Sequence, residues 1–470
     1  MRNDSAVLAI TSENSVRHGH DVAKEPDDRA GVRIWIALLV LFIFYGLSFV
    51  DKQIIVLLVR PIQESLFLSN IQIALVHGVA YSLFYAAAGV PLGWAVDRFS
   101  PRWIIFCGVL IWSISTMLCA FSTGFNTLFA GRLAVGIGEA ALIPAAFVII
   151  ASNFPAGRLA MASAFFMVAS LTGNGIAFAA GGQVVLALTR SAGWVFPLVG
   201  HLEPWRAALV FVGLPGLILA WLAMLLPDRS PALLRTDSLK KDNPIVSNTQ
   251  DGFLSFLRAN ARFLLTHLGG FALLGAAAFA GQAWGPTYFS QAFGWRSDQI
   301  GTAFGLIIGV FGTIGVFTSA KAVDWLYRRG IKDAHVRLHV LTTLAGAPFA
   351  IAAFLVSNPI TCVVLLCFTY LTFFSFAATA TSALQLISPP QYRGRIASLY
   401  GVALTLGGAA AGPLIVASVS DLYLKGPGRL GECIAISTAI CALPAAILLF
   451  LALKPFRRAQ IQLRPTATLL

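Results

Sequence analysis

Apolar residues along this chain come in runs of about twenty, the length an α-helix needs to cross the hydrocarbon core of a bilayer. Such runs lie near 34–57, 72–92, 103–122, 127–152, 160–188 and 205–226. After a polar stretch they resume near 263–290, 298–320, 337–356, 359–387, 394–418 and 432–453. The pattern predicts twelve membrane-spanning helices, six before the interruption and six after it. One of the charged segments between them returns: G-W-A-V-D-R-F-S-P-R at 93–102 reappears as A-K-A-V-D-W-L-Y-R-R at 320–329. Asp97 then corresponds to Asp324 and Arg102 to Arg329. A charged loop repeated at matching places predicts an all-α membrane protein of two pseudo-symmetric six-helix bundles whose halves rock against each other.

The expected organisation is a polar N-terminal tail over 1–32, a first half over 33–226 and a linker over 227–262. A second half over 263–453 and a tail over 454–470 follow. The linker is rich in Pro, Asp, Ser and Lys, with a short amphipathic helix expected around 253–262. Residues 1–30 mix acids with bases and have no apolar core before Ile34, so they do not read as a signal peptide.

Composition excludes a soluble chain: 57% of residues are hydrophobic and 11% charged. A net charge of +13 would suggest nucleic acid if it clustered on a soluble domain, but the cations fall in loops between apolar runs, so no nucleic-acid partner is expected. With both termini cytoplasmic, only Arg60, Arg190, Arg206, Arg296, Lys425 and Arg429 fall on the outer side. That asymmetry predicts a multi-pass protein of the cytoplasmic (inner) membrane with its termini inside. The six cysteines lie in or beside apolar runs without metal-type spacing. No nucleotide-binding loop, nucleophile constellation or metal site is visible. The expectation is a non-enzyme, without cofactor or metal, that draws on an ion or solute gradient and works as a monomer.

Ionisable groups at bilayer depth are costly and mark function by default. Three lie well inside: Asp51 in span 1, and Arg132 and Glu139 in span 4. Arg132 and Glu139 are one heptad apart, on one face about 10.5 Å apart along the axis, and Glu139 is expected to titrate as Arg132 approaches it. Lys52, turned roughly 100° from Asp51, is expected to reach toward the outer interface. His77 is a further titratable candidate in span 2. In the loops, Gly93 would allow close helix approach, and Asp97 would reach a helix N-terminus in the other half. Arg98 and Arg102 would pair nearby, and Asp324, Arg328 and Arg329 would form a weaker second latch.

Twelve spans with the repeated D-R…R loop resemble the major facilitator superfamily. Several segments are similar to its Spinster-type branch: D-K-Q in span 1, G-R-L-A-V-G-I-G-E-A in span 4, F-P-A-G-R-L-A-M-A-S after it, W-G-P-T-Y-F in span 7 and K-D-A-H-V-R before span 9. The branch commonly has Asp-Arg where this chain has Asp51-Lys52, and Ala320 replaces the glycine opening the second loop. The resemblance implies that spans 1, 4, 7 and 10 line a central cavity, uniting Asp51, Arg132 and Glu139 as a proton-coupling cluster. Gln282, Trp284 and Tyr370 become candidate substrate contacts. It also implies an amphipathic, lysolipid- or sphingoid-like solute, protons and the bilayer as partners. A small organic anion such as a hexuronate or carboxylate, anchored by Arg132, is the alternative. A transport-dead sensor is a minor one.

Overall fold

The computed structural model describes residues 28–96, 98–154, 156–191, 194–196, 200–227, 249–389, 392–424 and 428–462. Asp97, most of the expected linker, most of the expected N-terminal tail and residues 463–470 of the C-terminal one lie outside them. Among the described residues eleven helices are long and apolar enough to cross a membrane. The first half holds span 1 (Asp28–Leu57), span 2 (70–96), span 3 (Pro101–Cys119), span 4 (125–153), span 5 (Ala156–Arg190) and span 6 (Pro204–Leu225). The second holds span 7 (Ala261–Phe293), span 8 (Ser297–Arg328), span 9 (Ala334–Ala353), span 11 (393–423) and span 12 (Leu430–Gln462). The twelfth crossing, span 10, is made in two pieces, Pro359–Phe373 and Phe376–Ile387.

Local chemistry sets the helix ends. Pro101, Pro204 and Pro359 open spans 3, 6 and 10, where a missing N–H costs nothing. The Asn358 side chain accepts from the N–H groups of Ile360 (2.9 Å) and Thr361 (3.1 Å). Gly294, at φ 65°, stops span 7 in the left-handed conformation. Spans 4 and 10 break at equivalent places, at Ala141 and at Phe374–Ser375. The second break is held by Ser319 Oγ donating to the Ser375 carbonyl, 2.8 Å. Spans 2, 8 and 11 each contain a π-helical turn, at Leu75–Ala80, Ile307–Gly312 and Thr405–Ala410. Such turns loosen the backbone ladder and recur at functional places.

An even number of crossings brings both described ends of the chain to one face, here termed the terminal face; the opposite face is distal. Outside the membrane, Trp194–Phe196 pairs with Gly200–Leu202 as a distal hairpin. A helix at Thr249–Ala259 precedes span 7, close to the amphipathic segment expected from sequence. Its Phe253 and Phe256 pack on the Tyr392 ring at 5.2 and 5.8 Å.

The halves meet at the distal side. Buried apolar residues form two clusters, one running from the distal parts of the first half through the second half. The other is confined to the terminal-face part of the first half, around Leu41, Val109, Trp112 and Phe166. Span 5 and span 8 touch through glycines: a Cβ at Gly301 would overlap the Phe178 carbonyl and meet the Gly182 Cα at 3.0 Å. Asp421, at the end of span 11, accepts from Asn70 Nδ2 (2.7 Å) and the Ile71 N–H (2.9 Å) at the start of span 2. A carboxylate there meets the positive end of the helix. Toward the terminal face Gly89, Gly93 and Gly401 have open space where a Cβ would stand. The described contacts between the halves thus close the distal side, and these three glycines toward the terminal face meet no such contact.

Two outcomes follow from this closure. Asp421→Ala removes charge-assisted bonds worth about 2 kcal/mol, and Gly301→Ala inserts a methyl where backbone already stands. Both variants should fold, and both should shift the population toward a distal-open state by roughly tenfold or more. Spin-label distances between the distal ends of spans 5 and 8 read this; unchanged distances in both would show that these contacts do not govern closure.

A third outcome concerns acid. Glu203, before span 6, is held below the usual carboxylate range by the Ser65 hydroxyl (2.8 Å), with Trp205 Nε1 (2.7 Å) and Arg206 adding to this against partial desolvation. Its folded form binds a proton less readily than the unfolded chain. This stabilisation is therefore present above about pH 4.3 and is lost as pH falls through the folded value. Glu203→Gln should flatten the acid limb of a thermal-stability profile below that pH.

Candidate functional site

Span 4 carries Arg132 and Glu139 on one side, with relative exposures of 1% and 2%. Between them Gly136 lets span 2 come close: a Cβ there would stand 2.6 Å from the Tyr81 carbonyl. The approach brings the Tyr81 hydroxyl onto Glu139, donating to Oε2 at 3.0 Å. Span 1 brings Lys52 to the same oxygen, Nζ to Oε2 at 2.8 Å. Its ammonium also lies over the rings of Phe49 (4.5 Å), Tyr81 (5.0 Å) and Tyr85 (5.8 Å). A desolvated ammonium gains from such faces.

One sequence expectation is thereby corrected. Lys52 does not reach toward the outer interface; its four-carbon stem lets the head turn inward despite the helical angle. Arg132 makes no ion pair within 4.0 Å among the described residues, and the close partner of Glu139 is Lys52. Its guanidinium lies 5.9 Å from the Tyr81 ring centroid. Arg132 instead lies within electrostatic reach of Asp51 and His77.

Asp51 is the least satisfied member. It is 1% exposed, and neither carboxylate oxygen has a hydrogen-bond partner. Thr116 stands beside it without meeting hydrogen-bond geometry, and Arg132, Glu139 and Lys52 all lie within electrostatic reach. Glu139 Oε1, Arg132 Nε and His77 Nδ1 are also without partners. Spans 1 to 4 thus surround two acids and two bases, with only one close ion pair among them. Tyr81 and Tyr85 were missed from sequence. The signal was present: His77, Tyr81 and Tyr85 follow at four-residue spacing along span 2 and share a face.

The second half is built differently. Gln282 Nε2 donates to Asn174 Oδ1 at 3.1 Å, linking span 7 to span 5, while its Oε1 is unpartnered. Trp284 Nε1 donates to the Pro413 carbonyl at 3.0 Å, a bond inside the second half. Tyr370 stacks on Phe374 with centroids 4.7 Å apart, and its buried hydroxyl has no partner. Phe374 meets Phe279 edge-on at 6.0 Å. His267 and His339 are absorbed by packing, on the Ala380 carbonyl (3.1 Å) and the Thr379 hydroxyl (2.6 Å).

The repeated loops lie at the terminal face, apart from this cluster. Gly93 has no neighbour within 4 Å of a Cβ position; Arg98 is exposed and Arg102 partly buried. In the second copy Asp324 and Arg328 are exposed, and Arg329 stacks on Trp325 at 3.8 Å.

The profile of the Major Facilitator Superfamily matches residues 39–412. An MFS-type efflux pump of Mycolicibacterium smegmatis is 27% identical over 462 residues, covering 96% of this chain and 97% of the relative. Protein spinster homolog 3 of Danio rerio is 26% identical, covering 89% and 85%. A D-galactonate transporter of Escherichia coli O6:H1 is 24% identical, covering 84% and 91%. In fold, a bacterial homolog of the human lysosomal transporter Spinster, inward-facing and unoccupied, superposes with a TM-score of 0.74 at 20% identity over 93% of this chain and 99% of that one. The chain belongs to the Major Facilitator Superfamily, a transporter and not an enzyme, and within it resembles the Spinster-type branch.

Proposed function

We propose that the chain is a proton-coupled secondary transporter of the cytoplasmic membrane, working by alternating access on an amphipathic solute of lysolipid or sphingoid type. The observation that carries the coupling is the Lys52–Glu139 pair at 2.8 Å beside the unpartnered, buried Asp51. A carboxylate that exchanges partners between two states binds a proton more tightly in one of them. Protonation of Glu139 cancels the pair with Lys52 and frees an ammonium one residue from Asp51. Rocking of the halves, taken as 33–226 and 263–453, then alternates which face exchanges the proton.

On this reading the terminal face is cytoplasmic, as the distribution of Lys and Arg supports, and the cleft opens inward. Asp97, Arg98 and Arg102, with Asp324, Arg328 and Arg329, latch that face in the opposite state. The solute's polar head meets the charged wall of spans 1, 2 and 4, and its apolar body meets the Tyr370–Phe374–Phe279 stack. Similarity to the spinster homolog supports this choice.

A small organic anion is the second reading, favoured by the fully buried Arg132 without an ion pair and by similarity to the D-galactonate transporter. Arg132 would take the solute's carboxylate.

Uptake into proteoliposomes under an imposed pH gradient tests both. Glu139→Gln should lose gradient-driven accumulation at least tenfold while keeping exchange of solute down its own gradient. Unchanged gradient dependence would remove Glu139 from coupling. Uptake of a hexonate in place of any lysolipid would establish the second reading over the first. Lys52→Met strands a buried carboxylate and should lower stability by about 3 kcal/mol. Lys52→Met with Glu139→Gln should regain that stability without regaining coupling. A double variant that still accumulates solute would reduce the pair to a structural lock.

A further inference from the structure

On the second half, away from the charged cluster of the first, the terminal-face ends of spans 7, 9 and 12 enclose a groove of about 670 Å³. Its walls divide sharply by chemistry. Toward the face stand five cations, Arg262, Arg337, Lys454, Arg457 and Arg458. Toward the membrane interior the walls are apolar, and Leu341, Leu344 and Phe450 are 56%, 50% and 62% exposed.

Charge bookkeeping within the groove leaves an excess. Asp333, of the K-D-A-H-V-R segment, is buried and holds two of the cations: Arg337 Nε at 3.2 Å and Arg457 Nε at 2.8 Å. The side chains of Arg262, Lys454 and Arg458 make no ion pair or hydrogen bond among the described residues; the Arg262 carbonyl accepts from the Thr266 hydroxyl at 2.7 Å. Arg262 also stands in the first turn of span 7, which contains no acid. A cation at a helix N-terminus adds to the positive end of the helix dipole instead of offsetting it. Three positive charges and a helix start therefore converge at headgroup depth, directly above an apolar channel of acyl-chain character.

We propose that this groove binds an anionic phospholipid from the leaflet at the terminal face. Its phosphate sits among Arg262, Lys454 and Arg458, and its chains run along Leu341, Leu344 and Phe450. A zwitterionic lipid carries its own cation and gains little from three more. A soluble anion would satisfy the charges and leave the apolar wall uncovered. Basic pockets between membrane helices recognise anionic headgroups on these terms. The occupant would brace spans 7, 9 and 12 against one another, which goes beyond the transport reading and does not depend on it.

Native mass spectrometry of the full chain in uncharged detergent, doped with phosphatidylglycerol or phosphatidylcholine, reads this directly. Wild type should retain phosphatidylglycerol about tenfold over phosphatidylcholine. Arg262→Gln with Lys454→Gln and Arg458→Gln should abolish that preference. Leu344→Trp, which fills the groove and leaves every charge in place, should also lower retention of phosphatidylglycerol. Millimolar glycerol phosphate should not displace the lipid. Equal retention of both lipids, an unchanged preference in the triple variant, or displacement by glycerol phosphate would each overturn the proposal. If the triple variant fails to fold, the wild-type lipid comparison and Leu344→Trp decide it alone.

Discussion

The middle of a bilayer offers no water to a charge, so each ionised group held there must draw its compensation from the protein. In this chain that demand falls on Asp51, Lys52, Arg132 and Glu139, supplied by two helices of one half. The Lys52–Glu139 contact at 2.8 Å is the one close pair, and the local architecture is arranged around it. Gly136 removes the side chain that would keep span 2 away, Tyr81 adds a hydroxyl to the same carboxylate oxygen, and aromatic faces receive the ammonium. Removing either charge alone exposes the other to the full cost of burial. The pair leaves Asp51 without a hydrogen-bond partner and Arg132 without an ion pair among the described residues.

Closure of the distal side rests on a different physics. Lipid chains are as apolar as leucine, so helices in a membrane gain little by hiding hydrophobic surface from one another. Spans 5 and 8 come together because Gly182 and Gly301 allow backbone contact, and spans 2 and 11 because Asp421 caps a helix of the opposite half. Both devices are short-ranged, so a small rotation releases them completely. The continuous apolar core across the distal side and its interruption toward the terminal face express the same asymmetry.

Much of this was legible in the sequence because bilayer thickness imposes a coarse ruler: runs of twenty apolar residues marked the spans, and the repeated loop marked the halves. Depth in the membrane likewise singled out Asp51, Arg132 and Glu139. Direction was harder to read. An ideal helical angle pointed Lys52 away, but a long flexible stem overrides backbone direction, so the Lys52–Glu139 pair was not foreseen. The Asp421 contact joins residues about 350 positions apart, beyond any local periodicity. The break in span 10 has no proline or glycine at Phe374–Ser375 to announce it and depends on a hydroxyl from span 8.

That break has a counterpart just past Glu139 in span 4, so duplication preserved the backbone feature in both halves while the side chains diverged. One copy acquired buried charges; the other acquired hydroxyls and aromatic rings, as at Tyr370 and Phe374. Exchanging a ring or hydroxyl there leaves the electrical balance of the membrane interior untouched, whereas a change at Asp51, Arg132 or Glu139 upsets it. Substitution therefore carries an electrical cost in one copy that it does not carry in the other, so two halves of one scaffold differ in how freely their walls can be redrawn.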